Sequence, residues 1–542
     1  MATALASLFR LARAGLVLAQ HGVRFVPKGV KAPLALHMAR FATAPIRWLS
    51  APFRRGRSPE TQVARALTSL GPSYIKLGQF LATRADLIGA ELARDLGHLQ
   101  DRLPPFSERE ARTAVAEALG GRVEDHFATF GPAIAAASIA QVHRATAGDG
   151  EGPERALAVK VLRPGIERRF ARDLDAYRFA AGLIERWHPP ARRLKPVAVV
   201  ANLERTTELE MDLRLEAAAI SEMADNIRPD IARADADGVR ERFRVPEVDW
   251  RRTSRRVLTV GWIDGIPIGD HARLRAEGHD LKALGLLVMR SFLRHAMRDG
   301  FFHADMHQGN LLVDAAGALV AVDFGIMGRL GAVERRFLAE ILNGLITRDY
   351  RRAAQVHFDA GYVPPHHSVE VFAQAMRAIG EPIHGRLASE ISMADLLAQL
   401  FAYTDVFDME TRPELILLQK SMVIVEGVAR ALDPGLNMWV AAEPIAKEWL
   451  EANLGLAGRV REAGAGAETL GRVLADAPRV LEQAEKAASA FAGMARTGLH
   501  LDDSTVARLA AATARSERWQ RVAIWIGAVS LAALAVASFI AP

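Results

Sequence analysis

One passage, residues 301–325, concentrates side chains that can hold a metal ion and act on a phosphate. It reads FFHADMHQGNLLVDAAGALVAVDFG and contains Asp305, Asn310 five residues later and Asp323 at the start of a DFG. Transfer of a γ-phosphoryl group needs Mg²⁺, a carboxylate and an amide that hold the metal, and an aspartate near the attacking oxygen. The spacing therefore predicts Asn310 and Asp323 as metal ligands and Asp305 as the catalytic-loop aspartate. The alternative is three solvated polar side chains in loops.

A lysine at the centre of an apolar strand supplies the second part of such a site. Residues 157–162 read LAVKVL, which predicts a buried strand that carries Lys160. Because a buried lysine is costly unless it is paired, Lys160 is predicted to bind the α- and β-phosphates of ATP, with a helix carboxylate as ion partner. The segment ELEMDLRLEAAAI offers Glu210, Asp212 and Glu216 for that role, and solvated helix charges are the alternative.

The segment before this strand has no GxGxxG and reads IAAASIAQVH over residues 134–143. Small side chains allow close approach of the backbone to phosphates, although alanine lacks the access of glycine to positive φ. The position before the Lys160 strand favours a modified phosphate loop over a packing seam of small residues. The residues predicted to bind nucleotide here, besides Lys160, are Ala135, Ala136, Ala137 and Ser138.

The elements that position these residues follow an α+β pattern that becomes helical toward the C terminus. Helical periodicity covers residues from about 61 to 125. Three β-like runs follow, at residues 139–143, 157–162 and 256–262. Helices dominate from Leu281 onward, apart from a strand-and-turn passage near residues 311–324.

Both ends of the 542-residue chain favour a membrane. Residues 1–59 hold ten bases and no acid, interleaved with apolar residues, which is typical of a membrane-surface segment. A signal peptide and a nucleic-acid arm are the alternatives there.

Residues 522–540 form an uncharged apolar run, long enough at about 1.5 Å per residue to cross a hydrocarbon core of about 30 Å. Because Arg515, Arg518 and Arg521 precede it, the positive-inside rule predicts a cytoplasmic body; a buried core helix is the alternative.

The composition excludes several functional classes. The chain has no cysteine, so disulfides, thiolate zinc sites and cysteine nucleophiles are ruled out. A net charge of +6 over 542 residues is too weak for a dedicated nucleic-acid binder. Half of the residues are apolar and 24% are charged, which is a globular composition.

Taken together, these motifs resemble the UbiB family of atypical kinase-like proteins. The segments that carry the resemblance are KLGQ at 76–79, IAAASIAQVH, AVKVLRPGI at 158–166, EMD at 210–212 followed by Glu216, RVLTVGWIDG, HADMHQGN, DFG and EGVARALDP at 426–434. The resemblance implies a protein-kinase-like two-lobed fold. The helical periodicity before residue 125 and the apolar run at 522–540 add a predicted N-terminal helical extension and a single predicted C-terminal transmembrane helix, where members of the family often have two hydrophobic helices. It also implies a membrane-bound protein that binds Mg²⁺ and ATP, hydrolyses ATP and supports the biosynthesis of ubiquinone or another isoprenoid quinone.

The resemblance assigns roles to individual residues. Lys160 matches the phosphate-contacting lysine and Glu216 its helix partner, and both join Asp305 as catalytic residues. Lys76 and Gln79 match a regulatory KxGQ element that lies across the pocket where a protein substrate would otherwise dock. Glu210 and Asp212 match the ExD of the family, and Lys76 is predicted to pair with them. The alternative for Lys76 is a surface lysine on an amphipathic helix.

The sequence departs from the family at Met306 and Gln308, where the family usually reads DPHPGN, and losing both prolines predicts a looser turn. The predicted organisation is a basic membrane-surface segment (1–60), a helical extension (61–125), an N-lobe (126–262), a C-lobe (263–455), an amphipathic helical segment (456–520) and a transmembrane helix (521–542).

Three functional classes follow from these assignments. They are a membrane-anchored ATPase acting near quinone precursors, a protein or small-molecule kinase, and a pseudokinase scaffold of a biosynthetic complex. The KxGQ element argues against peptide access, and the retained Asp305, Asn310 and Asp323 argue against a pseudokinase. The expected partners are membrane lipid and the precursors and enzymes of quinone biosynthesis, with no nucleic acid. The sequence assigns no oligomeric state and no phosphoryl acceptor.

Overall fold

The computed structural model describes most of the chain up to residue 454. The described ranges are 2–21, 59–82, 103–148, 153–187, 195–237, 243–385 and 413–454, with a few single or short stretches between them. The chain divides into two compact units, Met1–Leu450 and Glu451–Pro542, and almost all of the second lies outside these ranges.

The predicted amphipathic segment (456–520) and transmembrane helix (521–542) both lie outside the described residues. Within the described part of the chain, no helix combines the length and the apolar character needed to cross a membrane. The transmembrane helix therefore stays a prediction from the sequence.

Helices make up most of the described structure. In chain order they are α1 (Ala2–Gln20), α2 (Pro59–Leu70), α3 (Pro72–Ala82), α4 (Glu108–Leu119), α5 (Ile166–Trp187), α6 (Pro196–Glu210), α7 (Leu213–Asp237), α8 (His271–Ala276), α9 (Leu281–Arg294), α10 (Ala332–Ile346), α11 (Tyr350–Asp359), α12 (Val369–Gly385), α13 (Pro413–Leu432) and α14 (Met438–Leu454). The strands are β1 (Thr129–Ala136), β2 (Ala140–Ala147), β3 (Arg155–Leu162), β4 (Phe243–Arg244), β5 (Val257–Gly261), β6 (Gly265–Pro267), β7 (Phe301–His303), β8 (Leu311–Asp314), β9 (Leu319–Ala321) and β10 (Met327–Arg329).

An antiparallel sheet in the order β1-β2-β3-β5 carries the lysine strand. Successive side chains of a strand point to opposite faces. Leu157, Val159 and Val161 of β3 are therefore buried together on one face, in a core to which α4 also contributes. Lys160 points from the other face, away from this core. Helix α4 begins at a capping box in which Ser107 and Glu110 bond each other's backbone N–H.

The passage with the predicted catalytic residues follows α9, whose buried apolar side chains anchor it in the main core. A π-helical turn at His295–Asp299 extends α9 and ends at Gly300, which has a φ of +66°. A Cβ atom there would lie 2.4 Å from the carbonyl oxygen of Leu330, so only glycine fits. Strand β7 then pairs with β10, and β8 pairs with β9 and β6. These short ladders bring the HADMHQGN loop and the DFG together.

Candidate active site

A buried ion pair joins β3 to α7. Lys160 Nζ lies 2.8 and 2.9 Å from the two carboxylate oxygens of Glu216, and 3.4 Å from Oδ1 of Asp323. The Glu216 side chain is only 7% exposed, whereas that of Asp323 is 47% exposed. Of the three helix carboxylates considered from the sequence, Glu216 is therefore the one that contacts the lysine, and the DFG aspartate completes the cluster.

The electrostatics of this cluster keep both partners of the Lys160–Asp323 contact charged. Burial alone would lower the pKa of Lys160, but the attraction of Asp323 and Glu216 outweighs it and raises that pKa. Burial would raise the pKa of Asp323, yet the Lys160 ammonium and the Gly325 N–H hold it well below its usual range. Burial raises the pKa of Glu216 despite the neighbouring lysine. Asp323 thus offers a negative charge for a cation at neutral pH.

His303 connects the catalytic loop to the DFG. Its Nε2 bonds the carbonyl oxygen of Asp323, and its Nδ1 accepts a hydrogen bond of 3.1 Å from the Asp305 N–H. These partners assign the proton to Nε2, which donates to the carbonyl. Burial lowers the pKa of His303, so the ring is neutral at physiological pH. The histidine of HAD is therefore a positioning residue that holds Asp305 and Asp323 in register.

Asp305 and Asn310 lie at the two ends of the loop between β7 and β8. The Asn310 amide nitrogen donates to the carbonyl oxygen of Asp305 at 3.0 Å, which closes the loop. The Asp305 carboxylate is about one-third exposed and lies 3.6 Å from Nε2 of His307. Asp305 is thus accessible to a substrate hydroxyl group or water.

The oxygen atoms left by these contacts fit a magnesium ion. Oδ1 of Asp323 contacts Lys160 and the Gly325 N–H, while Oδ2 makes no hydrogen bond with any residue that the structure describes. Asn310 uses its amide nitrogen within the loop, so its Oδ1 remains available as an acceptor. A carboxylate and an amide oxygen are hard ligands of the kind that Mg²⁺ prefers. The bond from Val322 N–H to the Asn310 carbonyl, at 3.1 Å, holds the two ligand segments side by side.

Burial and hydrogen bonds anchor the HADMHQGN loop around Met306 and Gln308, the two positions that depart from the DPHPGN pattern. Met306 is fully buried in the main core. Gln308 begins a 3₁₀ turn, Gln308–Asn310, in which Nδ1 of His307 accepts a bond of 2.9 Å from the Gly309 N–H. The hydroxyl of the buried Ser421 of α13 lies 3.0 Å from the carbonyl oxygen of Ala304 and 2.7 Å from that of Leu417, and its one proton is shared between them. These contacts anchor the turn in the structure, and the looser turn stays a prediction from the loss of the two prolines.

The alanine-rich segment forms the turn between β1 and β2. Ala135 and Ala136 are the last residues of β1. Ala137 does not have a positive φ, and the Ser138 side chain is fully buried. Since no residue of the turn needs a left-handed backbone, alanine can replace glycine there. Arg163 donates to the Ala137 carbonyl oxygen at 2.9 Å and thereby holds the turn over the end of β3.

The KxGQ element lies on α3. Lys76 Nζ is 2.7 Å from a carboxylate oxygen of Glu210, and both side chains are mostly buried, at 13% and 17% exposure. A surface lysine is therefore excluded. Asp212 pairs instead with the exposed Arg214, at 2.6 Å, and bonds its N–H at the start of α7. Gln79 is partly buried on the same helix.

Gly78 of the KxGQ element serves helix packing. A Cβ atom at this position would lie 2.7 Å from the Leu67 side chain of α2 and 2.8 Å from that of Leu99. The missing side chain at Gly78 therefore permits the close approach of α3 to Leu67 and Leu99.

Comparisons with known proteins place these features in a family. Residues 98–357 match the model of the ABC1 atypical kinase-like domain, and residues 376–437 match that of the UbiB helical domain. A solved structure described as the complex of Rv3197 with erythromycin from Mycobacterium tuberculosis covers 76% of this chain and 98% of its own. Its identity is 21% and its TM-score 0.48.

Curated relatives match over most of their length. The "Probable protein kinase UbiB" of Marinobacter nauticus is 39% identical over 401 residues, covering 73% of this chain and 71% of the relative. That of Xylella fastidiosa is 39% identical over 459 residues, covering 82% of this chain and 79% of the relative. That of Xanthomonas oryzae pv. oryzae is 42% identical over 388 residues, covering 70% of this chain and 68% of the relative. The predicted kinase-like α+β fold is confirmed, and the chain belongs to the UbiB family of ABC1 atypical kinase-like proteins.

Proposed function

We propose that this chain binds Mg-ATP, hydrolyses it and supports the biosynthesis of ubiquinone or another isoprenoid quinone at a membrane. The observation that carries the proposal is the cluster of Lys160, Glu216 and Asp323. A structural ion pair would not need a third, half-exposed carboxylate whose pKa stays low and whose second oxygen is left for a cation. The quinone pathway is what membership of the UbiB family adds to this geometry.

Each residue of the site has a separate task in this proposal. Bound Mg-ATP would supply the γ-phosphoryl group and the positive charge that its transfer requires. Lys160 would bind the α- and β-phosphates, and Glu216 would keep it oriented. Asn310 and Asp323 would hold the metal, and the partly exposed Asp305 would accept the proton of the attacking hydroxyl group or water. The turn at Ala135–Ser138 would offer its backbone to the phosphates.

Membrane association is part of the same proposal. Helix α1 docks on α5 through an ion pair of 3.2 Å between Arg10 and Asp173. Among the side chains of α1 that the structure describes, the large apolar ones that are exposed include Leu8, Phe9 and Leu16. Apolar groups at the start of a block of ten bases favour an anionic membrane surface, and the apolar run at residues 522–540 adds a predicted span with the body in the cytoplasm. Membrane lipid and quinone precursors are the partners that follow.

Quinone content in cells tests the proposed function. A bacterium that lacks its own member of the family should regain quinone when it carries this chain, and should fail to regain it with Asp323→Asn. The reason is that the variant keeps the fold but loses a metal ligand. Extraction and chromatography of the quinone pool measures the outcome. Equal restoration by the variant would contradict an ATP-dependent role and favour the pseudokinase scaffold.

We expect Lys76→Ala to raise the rate of nucleotide exchange. The Lys76–Glu210 pair ties α3 to the end of α6, only six residues before Glu216, so its loss should free the helix that orients Lys160. Release of a fluorescent ATP analogue in stopped flow measures the rate. The matched control is Arg178→Ala, which removes a more exposed pair with Glu204 of the same helix. Unchanged release from Lys76→Ala would leave the KxGQ lysine with a purely structural role.

A further inference from the structure

A second cluster of metal-ligating side chains lies outside the proposed nucleotide site. His366 and His367 lie in the turn before α12, and Asp408 lies shortly before α13. The Nε2 atoms of His367 and His366 are 3.2 and 3.5 Å from the same oxygen, Oδ2 of Asp408. The ligand atoms of all three residues lie within 4.8 Å of one another. Both imidazoles are therefore directed at one carboxylate.

The two nitrogen-to-oxygen separations are close to those around a tetrahedral zinc ion. Zinc binds imidazole nitrogen at about 2.0–2.1 Å and carboxylate oxygen at about 2.0–2.2 Å. Around a tetrahedral ion such bonds place neighbouring ligand atoms about 3.4 Å apart. The two observed nitrogen-to-oxygen distances, 3.2 and 3.5 Å, lie on either side of this value. An ion could be bound with small side-chain movements.

The surroundings hold one ligand firmly and leave the others open to solvent. The His367 side chain is 20% exposed, and its ring contacts that of Phe407 with centroids 5.4 Å apart. His366 and Asp408 are largely exposed. Asp408 has a φ of +48°, which is uncommon for a residue other than glycine. Three protein ligands on an open surface leave a coordination position for water.

We propose that His366, His367 and Asp408 bind a divalent transition-metal ion such as Zn²⁺. Two imidazoles and a carboxylate are ligands that suit Zn²⁺, whereas Mg²⁺ prefers oxygen ligands alone. The histidines lie between the two regions that match family models, and Asp408 lies within the second of them, residues 376–437. The ion would clamp the UbiB helical domain to the connection that leads out of the kinase-like domain. The competing explanation is a direct contact of the imidazoles with Asp408, by hydrogen bond or ion pair, which needs no metal.

Zinc titration of the full chain tests this proposal. The protein is stripped with a chelator and titrated with Zn²⁺ against a chromophoric competitor, with excess Mg²⁺ present to occupy the oxygen ligands of the nucleotide site. We expect His366→Ala and Asp408→Asn to bind one Zn²⁺ fewer per chain than the wild type, and to lose the rise in melting temperature that Zn²⁺ produces. Because both side chains are largely exposed, the variants should fold, and circular dichroism checks this.

The matched control is His279→Ala, which removes a histidine from the loop between α8 and α9, outside the proposed site, and should keep the zinc stoichiometry. A Co²⁺-loaded sample adds a spectroscopic readout, since d–d bands of a nitrogen-ligated site should disappear in His367→Ala. Equal zinc stoichiometry in the wild type, His366→Ala and Asp408→Asn would overturn the proposal. A wild type that binds no zinc would overturn it as well and would leave the ion pair.

Discussion

Asp323→Asn should abolish the Mg²⁺-dependent binding of ATP while the protein stays folded. Lys160 helps keep the Asp323 carboxylate ionised, and the substitution removes this negative charge. Mg²⁺ binds poorly without a carboxylate. Because this side chain is 47% exposed, the amide leaves no cavity. Thermal unfolding measures the effect: Mg-ATP at a hundred times its Kd should stabilise the wild type by about 2.7 kcal/mol and the variant by nothing measurable.

The matched control for this variant is Asp359→Asn. Asp359 is an exposed aspartate at the end of α11 that accepts a bond from Gln355, so the same chemical change is made outside the proposed site. It should retain the full response to Mg-ATP. A stabilisation of Asp323→Asn by Mg-ATP equal to that of the wild type would refute its assignment as a metal ligand.

Glu216→Ala should cost both stability and nucleotide affinity. Removing one partner of a buried pair leaves the other charge without compensation, which costs roughly 3–5 kcal/mol. We expect the lower end of this range, because Asp323 remains 3.4 Å from Lys160. The freed lysine should then turn toward Asp323 and compete with the metal for its carboxylate. Urea denaturation gives the stability, and titration with Mg-ATP gives the affinity.

Glu222→Ala on the same helix provides the control. Glu222 pairs with Arg329 at the surface, where both side chains are substantially exposed, so its removal should cost about 0–1 kcal/mol. Equal unfolding free energies for the two variants would show that the Lys160–Glu216 pair contributes no more than a surface ion pair.

The sequence could predict the site where chemistry restricts the residue types. A lysine at the centre of an apolar strand needs an anion, so the sequence alone predicts a helix carboxylate as the partner of Lys160. The Asp305–Asn310–Asp323 spacing likewise predicted three polar groups on one short loop and the hairpin behind it. In both cases the required partners are few, and local spacing brings them together.

Long-range partners could not be predicted in the same way. The bond from Ser421 to the Ala304 carbonyl joins residues 117 positions apart, and a serine in an apolar helix gives no sign of its acceptor. The motif AVKVLRPGI includes Arg163, but the sequence does not reveal that the Arg163 guanidinium bonds the alanine-rich turn. Asp212 was expected to pair with Lys76. Its carboxylate instead forms an ion pair with Arg214, which is only two residues away along the chain.

Release of γ-phosphate by the purified full-length chain tests the central claim most directly. The measurement uses Mg-ATP with anionic liposomes that contain a prenylphenol, and compares the wild type with Asp323→Asn. We predict Mg²⁺-dependent release by the wild type and background release by the variant. Release that is the same in both proteins, or absent from a wild type that binds Mg-ATP, would contradict the claim that Lys160, Glu216 and Asp323 form the centre of an ATP-hydrolysing site.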